Sequence, residues 1–188
     1  MKPVVERVFL AITLLLASCS SDPSLPSFGV VPDFKLTDQS NRAFDSKLQL
    51  DGRVWVANFI FTTCSGPCPR MTAQFKKLRD EVADDPKLRM VSFTIDPARD
   101  TPEALATYAR NFGANPDKWF FLTGAQKDLH ELSRNAFMLG DIDGNLEHSS
   151  RFVLVDTQSR IRGFYDSADQ EGLQKLTTDL RALLKGAS

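Results

Sequence analysis

Two cysteines stand four positions apart in FIFTTCSGPCPRM, residues 59–71, with Ser65, Gly66 and Pro67 between them. Such a pair can close a disulfide, hold a soft metal ion or fill a core. Two thiolates suit Cu(I) above all and Zn(II) next. A structural zinc site wants four ligands, but beyond Cys64 and Cys68 the chain offers only Cys19, near its start, and two histidines. His130 lies between Leu129 and Leu132 in a helical stretch and reads as an ordinary boundary residue. His148 directly precedes a strand; from position alone it is either a loop residue or a third ligand. An imidazole beside two thiolates would extend such a site from Cu(I) to Cu(II).

The elements that must carry these residues follow from periodicity. RVWVANFIF (53–61) is a nearly continuous apolar run, which predicts a strand buried on both faces. The residues after the cysteines predict a helix with Met71, Phe75, Leu78 and Val82 on one stripe and Pro69 in the first turn. Cys64 is therefore expected near a helix N-terminus, where unpaired amides and the helix dipole favour thiolate, the form needed both for disulfide exchange and for metal binding. Three residues between the cysteines, where dedicated thioredoxin-type motifs have two, leave both chemistries open. Gly66 frees the loop and Pro67 restrains it just before Cys68.

Upstream, DFKLTDQSNRAF predicts a hairpin turning at DQSN. Downstream, LRMVSFTID reads as a strand. A helix capped by Thr101 with Pro102 at its first position follows, ending at Gly113. KWFFLTG is the next strand, KDLHELSRNAFM a helix with Leu129, Leu132 and Ala136 inward, and DIDGN a turn-rich loop. RFVLVDTQSRIRGFYD predicts two antiparallel strands turning near Thr157–Ser159, and a final helix carries Leu173, Leu176, Leu180 and Leu183. The alternation implies an α/β fold: a central, mainly parallel sheet with helices on both faces, an N-terminal hairpin and an antiparallel edge hairpin. With cysteines where the first buried strand meets the first helix, the pattern resembles thioredoxin.

The first 18 residues read as a signal segment. Lys2 and Arg7 precede the apolar run VFLAITLLLA, which is too short to span a bilayer. LASC, ending at Cys19, resembles the lipobox of bacterial lipoproteins, in which the cysteine is lipidated; the other reading is an ordinary secretory signal with a chance cysteine. Residues 19–32 read as a lipidated Ser/Pro-rich tether and 33–188 as the folded domain. Lipidation of Cys19 leaves an even pair, Cys64 and Cys68, in a bacterial envelope compartment outside the cytoplasm, where thiols need a supplied reductant. The chain of 188 residues, 42% hydrophobic with fourteen Phe, supports one buried core. A formal charge of −1 offers no field for nucleic acid.

Three segments, TTCSGPCPRM, SFTIDPARDTPEALATYARNFG and EHSSRFVLVD, resemble the Sco family of copper-delivery proteins, with the likeness running from about Val31 to near Leu184. The resemblance implies a thioredoxin-like fold and one copper held by two Cys and one His, matched here by Cys64, Cys68 and His148. It also implies assembly of the dinuclear copper centre of cytochrome c oxidase. The implied partners are the copper-bearing subunit of a respiratory oxidase and an upstream copper donor or thiol reductant. The sequence departs from the family where an acidic and a bulky apolar residue often precede the second Cys; here stand Gly66 and Pro67. Glu147 replaces a common Asp. Asp96, Arg99 and Asp100 match a family signature and read as capping and loop-bracing residues outside the site. The alternative from the enzyme class is a thiol-disulfide reductase that keeps oxidase cysteines reduced; it needs Cys64 and Cys68 but not His148. A thiol peroxidase is disfavoured, because Phe61 stands where that class has Thr. A structural disulfide is disfavoured by the position at a helix start.

Overall fold

The structure, a computed structural model, describes residues 25–82, 85–139 and 150–187. Strands β1 (Lys35–Asp38) and β2 (Ala43–Asp45) form the N-terminal hairpin, followed by a one-turn helix α1 (Ser46–Gln49). Then come β3 (Val54–Ile60), α2 (Pro67–Glu81), β4 (Leu88–Thr94), α3 (Pro102–Asn111), β5 (Trp119–Thr123) and α4 (Gln126–Glu131), which a π-helical turn, Leu132–Ala136, continues. β6 (Arg151–Val155), β7 (Ile161–Asp166) and α5 (Gln170–Gly186) complete the chain.

The sheet order is β2-β1-β5-β4-β3-β6-β7. β3 pairs parallel with β4, and β4 with β5. The β1–β2, β1–β5, β3–β6 and β6–β7 pairs are antiparallel. The sheet is therefore mixed: among the described strands the expected parallel character is confined to the three central ones, joined in turn by the crossover helices α2 and α3.

All seven residues of β3 are buried, as a strand covered on both faces requires. Val54, Val56 and Ile60 pack with residues of α2, α3 and α5; Trp55, Ala57 and Phe59 pack with Leu129, Leu132 and Phe137 on the opposite face. Phe75 seats α2 by stacking on Phe152 at 5.2 Å and meeting Trp119 edge-on at 5.5 Å. Asn58 interrupts this apolar strand with a buried carboxamide whose nitrogen and oxygen find no partner among the described residues.

The two hairpins share a turn chemistry. In DQSNR, the Asp38 carboxylate accepts from the Ser40 and Arg42 backbone N–H groups and the Arg42 guanidinium, and Asn41 takes φ +56°. In DTQSR, Asp156 does the same toward Gln158 and Arg160, and Ser159 takes φ +58°. Each Asp satisfies the turn's own donors and fixes the register of its strands.

The expected tether differs from Leu25 onward. Phe28 and Val31 donate to the Ile161 and Ser159 carbonyls, and Ile161 donates to Gly29, so this segment covers the outer edge of β7. The Arg162 guanidinium, 3% exposed, donates to the Leu25 and Pro26 carbonyls and to Asp156 at 2.7 Å. Burial raises the Asp156 pKa, but Arg162 and Arg160 outweigh it and hold the carboxyl below its ordinary range.

Candidate metal and redox site

The chain leaves β3 at Ile60 and makes a turn in which the Cys64 N–H donates to the Phe61 carbonyl at 3.3 Å. α2 opens at Pro67, capped by Gly66 without a side-chain bond, so Cys68, not Cys64, occupies the first helical turn. Cys64 lies in the turn ahead of the helix, half-buried, and Cys68 is wholly buried against Met71 and Phe75. No disulfide joins them; the Cys64 side chain hydrogen-bonds Cys68.

The helix start, expected to favour thiolate at Cys64, does not do so at Cys68. Its pKa is pushed up from 9.0 to about 12, first by burial and next by the Cys64 hydrogen bond, while backbone bonds pull it back only in part. A dipole acting at a fully desolvated sulfur does not recover the hydration lost. The pair is therefore unequal: an accessible sulfur beside a buried, protonated one.

Two neighbouring segments hold the backbone around these sulfurs. Asp100, wholly buried, accepts the Thr62 N–H at 3.2 Å on each oxygen and the Thr62 and Thr94 hydroxyls at 2.5 Å. Thr72 donates to the Cys68 carbonyl at 2.9 Å, and its hydroxyl is 2.9 Å from that of Tyr108. Burial raises the Tyr108 pKa to about 12, with Cys68, Cys64 and Asp100 adding to the rise. Asp96 pairs with Arg99 at 2.8 Å. The bracing expected of Asp100 thus acts on the cysteine turn itself. The sequence reading gave Thr62, Thr72 and Tyr108 no role at the site. For Thr72 and Tyr108 the available signal was a hydroxyl set among the buried positions of α2 and of α3.

Among the described residues, no further His, Cys, Asp or Glu joins Cys64 and Cys68 in a metal-holding group. His130 lies on α4, whose Leu129 packs on the sheet face opposite Cys68. His148, Glu147 and the DIDGN loop lie outside the described residues, as does Cys19. A cleft of about 500 Å³, lined by Asp33, Lys35, Asp128 and Glu131, lies beside α4 and contains no sulfur.

A cysteine on the turn that leaves a central parallel strand and a second in the first turn of the following helix define a dithiol protein of thioredoxin-like architecture. The SCO1/SenC family model matches residues 24–185, and the chain belongs to the SCO1/SenC family. The SCO1 protein homolog of Bacillus subtilis is 30% identical over 182 residues, covering 91% of this chain and 92% of the relative. BsSco, described as a Sco-family cytochrome c oxidase assembly protein with a disulfide switch, superposes with a TM-score of 0.74 at 28% identity, over 86% of this chain and 97% of that one. Bradyrhizobium japonicum ScoI, solved with copper bound, shares the fold with a TM-score of 0.68 at 21% identity, over 82% of this chain and 99% of that one.

Proposed function

We propose that this protein is a copper metallochaperone that binds one copper through Cys64, Cys68 and His148 and delivers it to the dinuclear copper centre of a respiratory oxidase. The observation that carries this reading is the hydrogen-bonded sulfur pair at the C-terminal end of β3. Two sulfur donors from one short turn, backed by Met71 and Phe75, fit a soft monovalent ion that accepts low coordination. The register supports His148 as the third ligand: Trp55 pairs with Val155 and Ala57 with Val153, so β6 starts at Arg151 toward the end of β3 from which the cysteine turn departs. Family membership and the copper-bound relative support the same cargo.

Binding proceeds by proton loss. Cys68 must release a proton to become a ligand, so copper uptake is coupled to deprotonation and strengthens as pH rises. Release to an acceptor subunit returns that proton to the buried sulfur. The domain works outside the cytoplasm, held to a membrane by lipid on Cys19 after removal of residues 1–18. No helix among the described residues is long and apolar enough to cross a membrane.

The inequality of the sulfurs favours one second reading, a thiol-disulfide reductase. The Cys64 thiolate would attack a target disulfide and expel one target thiolate. Cys68 would then attack the mixed disulfide through its own thiolate, forming the Cys64–Cys68 bond and expelling the second target thiolate. Two electrons pass to the target, and an outside reductant must restore the pair. Deletion of the protein separates the readings. Added copper restores oxidase activity if delivery is the role, whereas rescue by reductant with copper ineffective supports the reductase. Copper content of the purified reduced protein is the direct test, with about one equivalent expected.

A further inference from the structure

We infer that Asp100 and Tyr108 are positioning residues for the cysteine pair: through Thr62 and Thr72 they fix the backbone at both sulfurs, one from just ahead of the α3 cap and the other from α3 itself. The inference rests on the pair being the working site but not on the identity of its cargo.

Asp100 lies just before the Thr101 cap of α3, and Tyr108 faces the core two turns along it. Thr62, which Asp100 holds by backbone and hydroxyl, is the second residue of the turn ending at Cys64. At Tyr108 the direction of the bonds can be read. The Thr72 hydroxyl has one proton and gives it to the Cys68 carbonyl, so the Tyr108 O–H donates to the Thr72 oxygen. α3 is itself well anchored: Thr101 accepts from Ala104 N–H, Pro102 presets the first turn, and Leu105 and Ala109 are buried.

A role confined to folding would not need this arrangement. A buried carboxylate whose donors among the described residues are all neutral is a costly way to brace a loop, and the Thr62 donors come from a turn 38 residues away in sequence. The arrangement sets where each sulfur sits, and disulfide closure depends steeply on that, since the two Cα atoms must lie within about 4.4–6.8 Å. Fixing both cysteine backbones therefore sets the balance between the dithiol and disulfide forms.

The test is the thiol–disulfide equilibrium of Cys64–Cys68 with glutathione, measured on the full mature chain in detergent alongside the thermal midpoint. Asp100→Asn, Thr62→Val and Tyr108→Phe are each expected to move the equilibrium constant by about tenfold, as loss of a charge-assisted or buried hydrogen bond allows. Thr62→Ser, which keeps the hydroxyl, should hold the parent value. Tyr165→Phe is the control. It removes a buried hydroxyl bond to Asp179 and should lower the thermal midpoint without moving the equilibrium. If Asp100→Asn fails to fold, Thr62→Val and Tyr108→Phe carry the test. Lowered midpoints with equilibrium constants within about twofold of the parent would overturn the inference. The equilibrium is read without copper, so a chain that takes up no copper would overturn the delivery reading and leave this one standing.

Discussion

Cys68 is wholly buried and shares a side-chain hydrogen bond with Cys64, its half-buried neighbour four residues earlier. The two sulfurs of one motif therefore differ in access and in proton affinity. Raising the Cys68 pKa from 9.0 to about 12 cuts its thiolate fraction at neutral pH by about a thousandfold. Iodoacetamide at pH 8 should modify Cys64 first and leave Cys68 protected until the protein unfolds, as peptide mass mapping would record. Equal rates at the two sites would refute the asymmetry.

The same shift has a sign for stability. The folded pKa lies above the unfolded one, so the protonated Cys68 contributes fully below about pH 9, and the contribution declines as pH rises toward about 12. Tyr108, also raised to about 12, adds to the decline above its ordinary 10. The urea midpoint of the reduced protein should therefore fall steadily from pH 9 to pH 11, and the Cys64–Cys68 disulfide form should fall less steeply.

Asn58 offers a separate test of the core. Its carboxamide is buried between Val56 and Ile60 on the helix-facing side of β3, without a hydrogen-bond partner among the described residues. An unsatisfied buried amide costs about 1–3 kcal/mol, and Leu has nearly its shape. Asn58→Leu should raise stability by roughly that amount in urea unfolding while leaving the thiol–disulfide equilibrium unchanged. Destabilisation would mean that a buried water satisfies the amide.

What the sequence revealed, and what it hid, follows from the range of the forces involved. β3 was legible because VWVANFI is apolar at consecutive positions, and α3 because Thr101, Pro102 and Gly113 mark its ends through local chemistry. Cys64 and Cys68 were legible as a pair by spacing alone. Their inequality was not, since burial of Cys68 depends on Met71 and Phe75 meeting strands far away in sequence. The antiparallel flanks were half-read: both hairpins announced themselves, but nothing local says that β1 joins β5 or that β6 joins β3. Residues 25–31 look like a linker by composition. Their order comes from backbone pairing with β7 and from Arg162, 136 residues away from Pro26. The clamp of Asp100 on Thr62 spans 38 residues and could be read only as bracing of unknown object.

Arg162 makes that last long-range contact testable. Removing one member of a buried ion pair costs about 3–5 kcal/mol, and Arg160 remains to pair with Asp156, so Arg162→Ala should cost about 3 kcal/mol. It should also speed amide exchange at Phe28 and Val31, whose N–H groups bond to the β7 edge. Unchanged protection there would mean that strand pairing alone holds the segment.

Cys19 tests the anchor. Lipoproteins hold to membranes by more than one acyl chain, because a single chain binds only marginally. Cys19→Ser should block processing at this position or release the domain into the soluble fraction. Identical processing and membrane retention would show that LASC is not a lipobox.

His148 decides whether the dithiol is a copper site of two oxidation states. Two thiolates already satisfy Cu(I), which accepts low coordination with soft donors; Cu(II) is harder and gains from a nitrogen ligand. Loss of the imidazole should therefore weaken Cu(II) binding by at least about tenfold and Cu(I) binding far less. His148→Ala should still form the Cys64–Cys68 disulfide, since that step uses sulfur alone. His130→Ala, on the helix of the opposite sheet face, should match the parent in every measurement. Paired titrations of the parent and the two variants with oxidised and reduced copper settle the matter. If His148→Ala binds Cu(II) as tightly as the parent, His148 is not a ligand, and the reductase reading, which needs only Cys64 and Cys68, takes first place.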